Sequence, residues 1–82
     1  MKKSDLSILI VEDDATFCRV LTEAVKSFGF RPLSVNKVDE AIQLAKIKSI
    51  HAAIIDCVLP KMNGVELSKQ IRSTRFGQAP IF

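Results

Sequence analysis

Residues 8–14 read Ile8-Leu9-Ile10-Val11-Glu12-Asp13-Asp14, four aliphatic side chains followed at once by three acids. The aliphatic run does not alternate with polar residues. It therefore predicts a strand covered on both faces, as in a parallel sheet. A second run, Ala52-Ala53-Ile54-Ile55, has the same character and also ends on an acid, Asp56. Parallel strands need crossover connections, usually helical, and the sequence around these runs supplies them.

After the first strand, Asp14 is placed to cap a helix. Phe17, Val20, Leu21, Ala24, Val25 and Phe28 then step by three and four, which predicts one apolar helical stripe. Gly29 follows where a helix ends in the left-handed conformation. Pro32-Leu33-Ser34-Val35 predicts a short strand, and its leading proline suits a sheet edge. Asn36 is expected to cap the next helix, with Asp39 in a capping-box position. Val38, Ala41, Ile42 and Ala45 mark that helix's apolar stripe, and Lys46, Lys48 and Ser49 close it. Beyond Asp56, residues 57–64 contain Pro60, Asn63 and Gly64 and predict a loop. Residues 65–74 predict a helix with Leu67 and Ile71 on one face, and Ala79-Pro80-Ile81-Phe82 opens another strand. The order β-α-β-α-β-α-β predicts an α/β domain with a parallel sheet and right-handed crossovers.

Composition narrows the function classes. The 82 residues allow one domain, and a hydrophobic fraction of 48% argues against disorder. The net charge of +3 comes from cations spread along the chain, with no basic block of the kind that binds nucleic acid. Cys18 and Cys57 belong to no metal-binding pattern, which fits a reduced, cytoplasmic chain without a zinc site. The run at residues 6–11 is too short for a signal sequence or a membrane span. His51 has no companion ligand and reads as a surface or turn histidine.

The chemistry is expected at the carboxyl ends of the strands, where open α/β sheets bind ligands. If the two aliphatic strands are neighbours, Glu12, Asp13 and Asp56 crowd one pocket, because adjacent strands lie about 4.8 Å apart. Like charges that close raise one another's pKa, and a hard divalent cation is the usual compensator. An aspartate beside Mg²⁺ can act as a nucleophile toward phosphorus.

At this point the chain resembles the receiver domain of two-component response regulators. The resemblance rests on Val11-Glu12-Asp13-Asp14, Ile54-Ile55-Asp56 and Pro60-Lys61-Met62-Asn63-Gly64, taken in this order and spacing. It implies a flavodoxin-like doubly wound sheet. It also implies that Asp56 is the phosphoacceptor. Glu12, Asp13 and Asp56 would hold Mg²⁺, together with the backbone carbonyl of Val58. Pro60 and Gly64 would shape the loop and the turn into the next helix. The implied donor is a histidine kinase or a phosphotransfer protein. A receiver has five strands in the order 2-1-3-4-5, and residues 1–82 correspond to its N-terminal portion, with strand order 2-1-3-4. The family's further Ser or Thr and its Lys would follow residue 82. A sheet incomplete in this way leaves one face and one edge uncovered. The expectation is then either that the rest of the domain exists elsewhere, or that a homodimer or swapped dimer covers them.

Two other classes compete. An aspartate-nucleophile phosphatase needs a second aspartate two residues after the first, and Val58 stands there, so an enzyme is not expected. A receiver-like interaction module that is never phosphorylated is the other alternative; the retained acids argue against it, and the absence of the family's further Ser or Thr and its Lys from residues 1–82 argues for it.

Overall fold

The computed structural model describes residues 2–56, 64–72 and 81–82. A short 3-10 turn, Lys3–Asp5, leads into strand β1 (Ser7–Val11). Helix α1 (Ala15–Ser27), strand β2 (Arg31–Val35), helix α2 (Val38–Ile47), strand β3 (Ala52–Ile55) and helix α3 (Gly64–Arg72) follow in turn. The strands form one parallel sheet in the order β2-β1-β3. Ile81 makes a single parallel bridge to Ala53, and Phe82 exchanges backbone hydrogen bonds with Ala53 and Ile55. Residues 81–82 thus lie beside β3, where the fourth strand of a 2-1-3-4 order belongs.

The core is lopsided. On one face of the sheet, Leu9, Val11, Val35, Ala53 and Ile55 pack with Val38, Ala41 and Ala45 of α2 and with Leu67 and Ile71 of α3. Leu67 and Ile71 are fully buried, as their four-residue spacing predicts. Ile10 points to the other face and is also fully buried, and there α1 lies against β1 and β2.

Two local expectations are corrected. The apolar stripe of α1 is wider than the surface it covers. Val25 is buried, but Phe17, Val20 and Phe28 are 50%, 57% and 67% exposed. The part of the stripe that reaches past the two strands has no described element packed on it. The second correction is at α2, where Asn36 does not cap. Lys37 occupies the cap position and makes no side-chain cap bond. Starting at Val38 aims Val38, Ala41 and Ala45 at the core, and burying that stripe outweighs a capping bond worth about 1 kcal/mol. Asp39 and Glu40 in the first turn still complement the helix dipole.

The ends of α1 form as their residues dictate. Asp14 Oδ1 accepts from the backbone N–H groups of Thr16 (3.0 Å) and Phe17 (3.1 Å). At the other end, Gly29 N–H donates to Lys26 O (2.9 Å) and Phe30 N–H to Val25 O (3.2 Å). This is a Schellman closure, and it places Gly29 at φ +92. A Cβ there would meet Lys3 at an ordinary 3.5 Å, so the barrier to other residues is backbone strain, not crowding. We predict that Gly29→Ala lowers stability by about 1–2 kcal/mol. It should appear in urea as a lower midpoint at an unchanged slope; an unchanged midpoint would contradict this account of the helix end.

Candidate functional site

The register of the sheet builds the site. Val11 pairs with Ile55 across β1 and β3, so the next residues, Glu12 and Asp56, leave neighbouring strands at the same level. Asp56 N–H donates to Val11 O at 3.0 Å, and Glu12 N–H donates to Val35 O at 3.2 Å. Both acids are therefore tied to the sheet through their own backbones. Asp13 follows at the turn into α1. One carboxylate oxygen each from Glu12, Asp13 and Asp56 lies within 4.8 Å of the others. The three acids singled out in the sequence are thus brought together.

Their environments differ. Glu12 is only 7% exposed, Asp56 is half-buried and Asp13 is exposed. The Glu12 carboxyl titrates above its ordinary value, and burial is the main cause. The backbone N–H of Asp14, 3.1 Å from Glu12 Oε1, works the other way by favouring the charged form. The charges of Asp56 and Asp13 add to the upward shift, as does a hydrogen bond in which protonated Glu12 donates to Asp56. A proton therefore partly supplies what a cation would supply better.

The residues fit a hard divalent cation. Carboxylate oxygens are its preferred ligands, and bonds of about 2.0–2.1 Å place two ligands on one Mg²⁺ at most about 4.2 Å apart. A span of 4.8 Å needs small side-chain rotations, or a water in place of one direct ligand. Val58 and Pro60, the other expected contributors, lie outside the described residues, as does Cys57. Gly64 is the first residue of α3, which extends the predicted helix by one residue at its start.

Other candidates fall away from the acids. His51 is exposed, and its Nδ1 accepts the Ser7 N–H (3.0 Å) while its backbone N–H donates to Ser7 O (2.9 Å). It clamps the far end of β1, a structural role at a turn. Cys18 is a half-buried free thiol. It lines a cleft of about 430 Å³ on the α1 side of Glu12, with Arg19, Thr22 and Ser34. The sequence reading missed the burial of Glu12 and its bond from Asp14. Residue types alone carry no signal for either, because both depend on the path of the turn between β1 and α1; Asp56, in the equivalent place after β3, is only half-buried.

Comparison with known proteins agrees with this fold. The family model described as "Response regulator receiver domain" matches residues 8–82. The acid tolerance regulatory protein ActR of Rhizobium meliloti (strain 1021) is 37% identical over 71 residues, 87% of this chain and 37% of ActR's own length. The receiver domain of the hybrid histidine kinase CckA superposes with a TM-score of 0.85 at 28% identity, over 92% of this chain and 70% of that one. The response regulator MaeR, solved bound to beryllium trifluoride, superposes with a TM-score of 0.82 at 25% identity, over 94% of this chain and 64% of that one.

The raised Glu12 pKa has a consequence for stability. In the metal-free protein, its contribution is fully present below the unfolded value of about 4.5 and is lost as pH rises through the raised folded value. Glu12→Gln keeps an oxygen for the Asp14 N–H and removes the charge. We predict that the mutant and wild type have similar stability below about pH 4.5, and that the mutant becomes the more stable one as pH rises. Chemical denaturation across this range in a chelator measures the difference. A wild type more stable than Glu12→Gln at neutral pH would contradict the prediction.

Proposed function

Since the chain belongs to the response regulator receiver family, we propose that it accepts a phosphoryl group on Asp56 from a histidine kinase or a phosphotransfer protein. The observation that carries the proposal is the meeting of Asp56 with Glu12 and Asp13 at the ends of β3 and β1. Asp56 is the residue of the three that combines partial exposure with a fixed backbone, so a donor can reach it while its position is held. Glu12 sits deeper, and Asp13 sits in the turn. These places suit a nucleophile flanked by two groups that hold a cation.

The step is a phosphoryl transfer. An Asp56 carboxylate oxygen forms a bond to phosphorus as the bond from phosphorus to the donor's histidine nitrogen breaks, and the nitrogen keeps the electron pair. The donor ring carries a proton on its other nitrogen, so the products are an acyl phosphate on Asp56 and a neutral imidazole on the donor. Bound Mg²⁺ would neutralise the crowded carboxylates and the charge on the phosphoryl oxygens. Glu12, Asp13 and Asp56 would hold it, with the Val58 carbonyl added by resemblance to the family. A cation held there would displace the Glu12 proton and leave the Asp56 oxygen that accepts it free to react.

The chain should gain the mass of one phosphoryl group when incubated with Mg²⁺ and acetyl phosphate. Asp56→Asn, which keeps the size and removes the nucleophile, should gain none. Mg²⁺ should also raise the melting temperature. At ten times its Kd the gain is about 1.4 kcal/mol, or roughly 6–11 °C for a domain of this size. Labelling that survives in Asp56→Asn would overturn the assignment. Mg²⁺ binding without any labelling would favour the unphosphorylated interaction module instead.

A further inference from the structure

We infer that Asp14 is a positioning residue for the acid cluster, acting through its helix cap and not through its charge; the inference rests on the proposed metal-holding role of Glu12, Asp13 and Asp56. Asp14 is not one of the three acids whose oxygens converge within 4.8 Å. Its carboxylate is turned the other way, with Oδ1 accepting from the N–H groups of Thr16 and Phe17 in the first turn of α1. Those two bonds hold Asp14 in the extended conformation of a cap residue, φ −78 and ψ 110.

The same backbone carries the N–H that donates to Glu12 Oε1 at 3.1 Å. The side chain of Asp14 therefore aims its own peptide group at Glu12. Glu12 is nine-tenths buried, so the direction of its carboxylate depends on the few donors that reach it. Asp13 lies between the two, and the same turn sets its direction. Loss of the cap would loosen the turn and let two of the three acids drift, although no cluster oxygen belongs to Asp14. Residues that orient a metal ligand through a hydrogen bond typically matter about 10–100-fold in metal affinity.

Neutral capping side chains separate this role from an electrostatic one. Mg²⁺ affinity by calorimetry and metal-free melting temperature should be measured on the 82-residue chain and on Asp14→Ala, Asp14→Asn and Asp14→Ser. Asn and Ser cap as well as Asp does, so both should bind Mg²⁺ within about twofold of wild type. Asp14→Ala should melt about 4–8 °C lower and bind Mg²⁺ about tenfold or more weakly. Asp14→Gly also removes the side-chain acceptor but destabilises a cap position much less. It should show the same loss of affinity, and it replaces the alanine variant if that one does not fold.

A lower melting temperature with unchanged affinity in Ala and Gly would reduce the cap to a structural role and overturn the inference. Equal weakening in Asn and Ala would assign the effect to charge and overturn it too. Failure of the underlying reading looks different, because the wild type itself would then bind no Mg²⁺ and all variants would agree.

Discussion

The hydrogen bond from the Asp56 N–H to the Val11 carbonyl, 3.0 Å long, joins the chain's two acidic strand ends at one level. It extends the parallel ladder of β1 and β3 by one residue beyond the last aliphatic pair, Val11 and Ile55. A one-residue slip in that register would exchange the faces of a whole strand. It would remove Leu9 and Val11, or Ala53 and Ile55, from the face that packs on α2 and α3. The site is thus held in register by the core beneath it, and the identity of the aliphatic residues determines where the carboxylates stand.

Bringing those carboxylates together costs stability, and the fold offsets that cost elsewhere. Glu12 is buried beside two other acids and titrates high in consequence. Leu9, Ile10, Val11, Leu67 and Ile71 are fully buried, and each contributes roughly 1.5–3 kcal/mol relative to exposure. The contribution is uneven between the two faces. The α2 and α3 face holds the contiguous core, whereas α1 buries Val25 and leaves Phe17, Val20 and Phe28 largely in solvent. Among the described residues, the helix whose first turn orients the acids therefore buries the fewest side chains, although it lies against both β1 and β2. Its ends are closed by Asp14 and Gly29.

Much of this could be read from the residues. The aliphatic runs at 8–11 and 52–55 do not alternate; the first became the central strand, and the second lies between it and the bridge at Ile81. The three acids converged because parallel pairing leaves little freedom in where the strand ends lie. Asp14 and Gly29 are chemically suited to one helix end each, and both took those places. Asn36 misled because local capping preference competed with the burial of Val38, and burial depends on the sheet. The α1 stripe misled for a related reason: periodicity shows which face of a helix is apolar but not how much of it a neighbour covers. The depth of Glu12 and its bond from Asp14 depend on the path of the turn between β1 and α1, which residue types alone do not specify.

If Mg²⁺ binds as proposed, it displaces the proton that Glu12 donates to Asp56. Carboxyl carbon chemical shifts of Glu12 and Asp56, followed against pH with and without Mg²⁺, test it most directly. Glu12 should titrate above its ordinary value of 4.5 in the metal-free protein, and saturating Mg²⁺ should abolish the upward shift. A Glu12 titration that is the same in both conditions would contradict it.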